Sequence, residues 1–421
     1  MTAISPILPL TDTATPADQA AVAEIVRSAA AAGTPLYPIG GGTSLDYGAH
    51  PARPGLGLSL AGLTRIVDYP ARDLTITIEA GVTIAELAAH LAGERQRLPV
   101  DIPQAGRATV GGAVATNPSG PRRYRWGTLR DCVIGIRAVD GLGTTFSGGG
   151  RVVKNAAGYD LCRLLIGSLG TLGVITQVTF MVKPMPETSA LTACEVADFE
   201  AAERLLADLV RTETLPAAIE LLVGPAWRSE PLLGPPLASG IGRLVVGFEG
   251  TQPEVDWMIG ELHQQWQHSG ISPSATHAGA EASLLWDRLT EFPADPLETD
   301  GPAPWLAEIR VLPSQTAGCI QRLLEADPAC SIQAHAGSGV ILARLWFKPE
   351  QGVELVEARV RPIVAAAGGS MILLSHPAGV QPDRCTVWGP PGNGQQVMQA
   401  IKDQFDPQGI LNPGRFIFPS R

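Results

Sequence analysis

Apolar and polar positions change rhythm several times along this chain, and each change marks an element. From Val174 to Val182, the residues Val174, Thr176, Val178, Phe180 and Val182 alternate with Ile175, Gln177, Thr179 and Met181, the period-two pattern of a strand. Residues 36–39, 56–60, 65–69 and 74–79 read as further strands. The spacing predicts a first helix capped by Thr15, with Pro16 in its first turn, Asp18 at its positive end and Gly33 as its stop. Thr83 and Glu86 form a capping box opening a helix to about Ala92, and 159–166 reads as a short helix ended by Gly167. After Lys183-Pro184-Met185-Pro186 the texture shifts, and seven of the eight Trp lie beyond that point. There 199–211 and 255–267 read as helices, while 218–223, 243–248, 307–311 and 340–347 read as strands. A last helix over 395–405 leads into a Pro- and Gly-rich tail at 406–414, which calls for a fixed turn. The expected organisation is α+β throughout: a first domain over 1–183, a second over 184–394 with helices covering one face of an antiparallel sheet, and a tail over 395–421 returning to the first.

Three stretches of small residues interrupt these elements. Gly40-Gly41-Gly42-Thr43-Ser44 follows a predicted strand, and consecutive glycines there can fold into a nest whose N–H groups hold a diphosphate. Gly41 is expected at positive φ, which a β-branched side chain would resist. The stretch is neither a dinucleotide GxGxxG nor a Walker loop, since Leu45 follows and no Gly-Lys-Ser/Thr is present. Thr109–Gly120 (TVGGAVATNPSG) would let a helix N-terminus capped by Thr109 press against a bound group, although close helix packing explains the same residues. Gly167, Gly170 and Gly173, with Ser168 and Thr171 between them, form a turn that brings backbone near a ligand, or a plain hairpin turn.

Composition narrows the classes. Hydrophobic content of 45% with 17% charged residues describes a globular protein, and a net charge of −10 argues against a nucleic-acid partner. Six cysteines without a CxxC or ligand-like spacing argue against zinc and iron–sulfur cradles, and read as interior thiols in a reducing compartment. The first residues carry no basic start or long apolar core, and no run of about 18 apolar residues occurs, so a cytoplasmic location is expected. Against the overall charge, residues 120–165 hold eight basic and three acidic groups, a local +5 that a diphosphate, an anionic substrate or an acidic partner would each explain.

Taken in order, the three stretches resemble the vanillyl-alcohol-oxidase (PCMH-type) FAD-binding family. Pro38, Ile39, Gly40, Gly41, Gly42, Thr43 and Ser44 are similar to its pyrophosphate loop. Thr109, Gly111, Gly112, Thr116, Asn117, Ser119 and Gly120, continued by Gly127-x-x-x-Asp131, resemble the segment that wraps the flavin ring and diphosphate. Gly167–Ile175 resembles the motif lying along the cofactor, with Gly170, Thr171, Gly173, Val174 and Ile175 as its contacts. The resemblance implies a PCMH-type domain of two α+β subdomains, an α+β cap, and FAD as cofactor. The flavin is expected to be non-covalent, because 40–48 contains no His and the nearest is His50. Ser119–Arg123 with Arg125, Gly127, Arg130 and Asp131, joined by Gly150–Asn155 and Gly158-Tyr159-Asp160, bring the resemblance closest to the smaller FAD-binding subunits of bacterial glycolate oxidase complexes. Such a subunit implies a catalytic flavin subunit and an iron–sulfur subunit as partners, glycolate or a similar small 2-hydroxy acid as substrate, and membrane association only through the partners.

The catalytic members of this family also carry a metal-associated His-x-Gly-Asp-Gly-Asn-x-His run in the cap. Here His335-Ala336-Gly337-Ser338-Gly339-Val340-Ile341-Leu342 stands in its place, with Ser338, Val340 and Leu342 where Asp, Asn and the second His would be. A lone His with no carboxylate in reach makes a poor divalent site, so no metal is expected. His335 is left as a candidate base or a structural histidine. Arg310 and Arg344, each inside an apolar strand, are the candidates for a substrate carboxylate. Two functions follow: a subunit that oxidises a 2-hydroxy acid within a complex, and a non-catalytic FAD-binding accessory that stabilises or relays electrons from a catalytic flavin partner.

Overall fold

A computed structural model describes residues 7–51, 53–150, 159–294 and 303–417. The chain divides into two units, one of 1–118, 127–185 and 381–421, the other of 119–126 and 186–380. The short excursion at 119–126, counted with the second unit, has no signal in the hydrophobic pattern.

The first unit holds two main sheets. Leu10–Ala14, Gly55–Ser59 and Leu36–Ile39 pair in parallel in that order, and the helix Gln19–Ala32 precedes the third of them in the chain. Asp18, not Thr15, caps this helix: its carboxylate accepts from the Ala21 amide at 2.8 Å, and a start at Pro16 would bury that acceptor inside the first turn. Five antiparallel strands follow in the order Ile66–Asp68, Thr75–Glu79, Val174–Met181, Val133–Val139, Thr145–Gly149. Val174–Met181 is central, so both its faces are buried, and the polar half of its alternation is satisfied internally. Thr179 meets Thr77 at 3.0 Å, and the Thr176 hydroxyl donates to the Arg137 carbonyl. The tail closes on the same unit: Leu36 N donates to the Ile410 carbonyl and Asn412 N to the Leu36 carbonyl, both at 2.8 Å. Buried Lys402, on the helix Gln395–Phe405, donates to Asp406 and to the carbonyls of Thr171 and Leu411, tying the tail to the glycine turn.

The second unit is built on one eight-stranded sheet, antiparallel at every pairing. Its order is Pro273–Ala278, Thr188–Val196, Gly242–Gly250, Ala218–Val223, Ser331–His335, Val340–Leu345, Trp305–Arg310, Ser370–Ser375. Strand alternation sends Ile219, Leu221, Ile332, Ala334, Ile341 and Ala343 to one face, where they pack against Leu205 and Leu209 of the helix Phe199–Arg211, Leu262 of Gln252–His268, and Ile320 of Thr316–Ala326. The alternate residues form a second face with a different chemistry.

Candidate functional site

In the first unit the nest, the Val110–Thr116 helix and the glycine turn meet around one cleft. Pro38, Gly40, Gly41, Gly42, Thr43 and Ser44 line it, with Gly111, Gly112, Thr116, Gly170, Gly173 and Ile175. Two glycines of the nest have no room for a side chain. A Cβ on Gly41 would stand 1.6 Å from the Arg107 carbonyl oxygen, and one on Gly40 2.2 Å from Thr109 Oγ1. Crowding, rather than φ, therefore fixes Gly41; the left-handed residue of the nest is Gly42, at φ 72°. These are the dimensions of a cradle in which backbone approaches a ligand directly, and the residues fit a diphosphate held by N–H groups.

Several expected contacts lie off this lining. Thr109 caps the helix, accepting from Gly112 N, and Ile39, Thr171 and Val174 are not on the cleft wall. The Thr171 hydroxyl donates to the Ser168 carbonyl at 2.6 Å. Asn117 ends the helix in the left-handed region at φ 51°. Asp131 uses its carboxylate on the Thr128 amide at 2.8 Å, a helix cap. Ser119 and Gly120 belong to the excursion of the second unit, where Ser119 Oγ accepts from Arg123. The Gly150–Asn155 stretch and Gly158 lie outside the described residues from 151 onward.

Sequence reasoning missed Leu169, Asn412 and Arg415 on the lining. Arg415 is buried, donates to the carbonyls of Leu45 and Tyr47, and has its guanidinium pushed down to about 10 by that burial. It fixes the far side of the nest loop. Arg107 was also missed: its Nη2 stands 3.9 Å from where a Gly42 Cβ would be. An Arg among Gly, Ala and Thr (GRATVGG) was the available signal.

In the second unit, the opposite sheet face holds several buried polar groups, with Trp286 of the helix Gly279–Glu291 packed over Gly247 on the same face. Register places Glu220, His335, Val340 and Arg310 in one cross-strand row, and Gln333, Leu342 and Glu308 in the next. His335 therefore has a carboxylate in reach, against expectation: its Nδ1 lies 2.9 Å from each oxygen of Glu220, 115 residues earlier. Gln333 Nε2 donates to the same carboxylate at 2.9 Å. Glu220, Gln333 and His335 are all at most 2% exposed, and His335 Nε2 has no hydrogen-bond partner among the described residues. The signal for Glu220 was a carboxylate inside the apolar strand AIELLV, which must find a partner when buried.

The two arginines separate. Arg310 shares the row of His335, two strands away, and pairs with Glu308 at 2.7 Å while half exposed. Arg344 pairs in register with Ser331, four residues or about 13 Å along the strand from His335. It is buried, donates to the Phe292 carbonyl and lies over the Phe292 ring, so its charge is used in packing. Among the described residues no group of three His, Cys, Asp or Glu is arranged to hold a metal. Of the basic stretch, Arg122 donates to Glu249 and lies over Trp286, Arg123 donates to Ser119, and Arg125 donates to the Glu249 carbonyl. Arg122 is paired with a buried carboxylate inside the second unit, whereas Arg125 stays exposed and spends its donors on neutral carbonyls.

Two family models match the chain. An FAD binding domain matches residues 13–149, and the C-terminal domain of FAD linked oxidases matches residues 185–416. Glycolate oxidase subunit GlcD of Bacillus subtilis (strain 168) is 26% identical over 392 residues, covering 90% of this chain and 83% of that protein. A probable mitochondrial D-lactate dehydrogenase of Danio rerio is 35% identical over 408 residues, covering 91% and 79%. Glycolate oxidase subunit GlcE of Escherichia coli (strain K12) is 42% identical over a shorter match of 137 residues, 32% of this chain and 39% of that one. The solved structure of alkyldihydroxyacetonephosphate synthase shares the fold, with a TM-score of 0.70 at 18% identity over 96% of this chain and 77% of the other. The chain belongs to the FAD-linked oxidases, and FAD is its cofactor.

Proposed function

We propose that this chain is the FAD-binding subunit of a glycolate-oxidase-like complex and takes part in oxidising glycolate or a similar small 2-hydroxy acid. The observation that carries the reading is the buried Glu220–His335 pair with its unpartnered Nε2. Bound FAD supplies the two-electron acceptor. Gly40–Ser44 would hold its diphosphate through backbone N–H groups, with Arg107 beside the nest as the cation, and the turn at Gly170–Ile175 would lie along the cofactor. His335 Nδ1 faces a carboxylate and so carries the ring proton, which leaves the Nε2 lone pair to take the proton of a substrate hydroxyl. Arg310 binds the substrate carboxylate, exchanging its contact with Glu308 for a second anion.

Relatives named as glycolate oxidase subunits support assembly with other chains. The partners in this reading are a catalytic flavin subunit and an iron–sulfur subunit, with a cytoplasmic location and membrane attachment only through them. No described helix is long and apolar enough to cross a membrane. A second reading, a non-catalytic FAD-binding accessory, is favoured by Ser338, Val340 and Leu342 in place of the polar run.

Anaerobic mixing of the FAD-loaded chain with glycolate and lactate, alone and with its partner subunits, tests the two. Flavin bleaching by the chain alone at many turnovers per second, once an artificial acceptor is added, makes it the catalyst. Bleaching only with partners supports the accessory role. Acid precipitation is expected to release the flavin, since Cys132 is buried with its thiol pushed up to about 11; yellow colour kept in the pellet would contradict non-covalent binding.

A further inference from the structure

We propose that the polar sheet face takes a small acid with a second hydroxyl, at C3, beside the one that is oxidised: a 2,3-dihydroxy acid. This rests on the reading that His335 Nε2 receives the C2 hydroxyl proton. The orientation of Gln333 is forced by its neighbour. An ionised carboxylate only accepts, so the amide nitrogen faces Glu220, at 2.9 Å, and Oε1 points away as an acceptor. Gln333 Oε1 is buried and, like His335 Nε2, has no hydrogen-bond partner among the described residues. Residues two apart on a strand share a face, so the two acceptors belong to the same face of the sheet. Their neighbours in register on the next strand, Val340 and Leu342, offer no donor.

Two buried acceptors on one face call for two donors, because leaving either unpaired carries the full cost of its desolvation. Lactate and glycolate bring one hydroxyl. Glycerate brings two, and its C3 hydroxyl would donate to Gln333 Oε1 without being oxidised. The C2 hydroxyl would give its proton to His335, and FAD, when bound, would supply the two-electron acceptor that balances oxidation at C2 to the 2-keto acid, with the C3 hydroxyl intact.

The test uses two matched pairs on the FAD-loaded protein, with its partners present. Glycerate and lactate, each as both enantiomers, are compared by kcat/KM for flavin reduction. Hydroxypropanoate bearing only the C3 hydroxyl is compared with propanoate by calorimetry; neither has a C2 hydroxyl to oxidise. Glycerate is expected to exceed lactate by at least about tenfold, and 3-hydroxypropanoate to bind tighter than propanoate by a similar factor. Gln333→Met should bring both ratios to about one, whatever loss is common to all ligands through Glu220. Ratios near one in the unaltered protein, with His335→Gln still abolishing bleaching, would overturn the dihydroxy preference and leave the proposed oxidation standing. If no acid bleaches the flavin, the proposed oxidation falls, and the calorimetric ratio still decides whether Gln333 receives a hydroxyl.

Discussion

The cleft of the first unit and the polar sheet face of the second are built from opposite materials. The cleft is built largely on backbone: of its glycines, Gly41 and Gly40 have their Cβ positions already taken by Arg107 O and Thr109 Oγ1. The sheet face is side chain: Glu220, Gln333 and His335 hydrogen-bonded across two strands in a buried layer. A backbone site tolerates almost no substitution inward but needs no particular functional group. A side-chain site tolerates changes of shape, yet loses its chemistry with one atom. The comparison can be broken by showing that either region behaves like the other.

Gly41→Val should have the largest effect. Its added carbons would have to displace the Arg107 carbonyl, part of a fixed turn in which Arg107 N and Ala108 N both donate to the Gln104 carbonyl. The expected outcome is a purified chain with no measurable flavin absorbance and a second unit that still folds, read by circular dichroism. A variant retaining stoichiometric flavin would mean the diphosphate sits elsewhere.

His335→Gln comes next. It keeps the volume and a polar atom near Glu220 but removes the Nε2 base, so flavin reduction by substrate should fall about 10²–10⁴-fold with FAD content unchanged. Glu220→Gln should lose part of the same factor, because a neutral amide no longer selects the Nδ1–H form. Loss of FAD in either variant, or unchanged reduction, would make the pair structural.

The same contrast explains what the sequence could reveal. The nest, the capped helix and the glycine turn are each continuous strings, so local spacing exposed them, and the helices Phe199–Arg211 and Gln395–Phe405 were legible from their amphipathic periods. Glu220 and His335 lie 115 residues apart and meet only because Ala218–Val223 and Ser331–His335 are neighbours in the sheet. No local pattern records strand order, and so His335 read as a lone histidine. Arg344 and Arg310 looked alike for the same reason: register alone, four residues along a strand, puts one beside Phe292 and the other in the His335 row. Arg415 escaped because its partners, the Leu45 and Tyr47 carbonyls, lie some 370 positions away in the chain.

Lys402→Met asks whether the cleft depends on anything besides backbone. Removing the ammonium leaves Asp406, 1% exposed, with the Ile410 and Leu411 amides as its donors among the described residues. A loss of about 3–5 kcal/mol is expected for breaking one side of a buried pair, measured by urea unfolding. FAD affinity should weaken with it, because the Thr171 carbonyl that Lys402 holds lies in the glycine turn. A stable variant with unchanged FAD affinity would show that the turn keeps its shape without the tail.

The smallest effect offers the sharpest control, because both units carry the same device. Thr83 and Glu86 cap the helix Ile84–Ala92 in the first, and Thr251 and Glu254 cap Gln252–His268 in the second; each Thr amide donates to the Glu carboxylate, at 2.9 and 2.8 Å. Thr83→Ala and Thr251→Ala should each lower a melting midpoint by about 2–4 °C. Hydrogen bonds from the Thr backbone and hydroxyl hold both glutamates below the usual carboxylate range. A depressed folded pKa gives stability that is present above the unfolded value, near about 4.3, and lost as pH falls through the folded one. The midpoint differences should therefore be full at pH 7 and shrink below pH 4. If the units melt separately, Thr83→Ala moves only the transition that FAD addition raises, and Thr251→Ala only the other. A single transition shifted equally by both would mean that the backbone-built cleft and the side-chain-built sheet face form one cooperative unit, and the contrast between them would then concern chemistry and not stability.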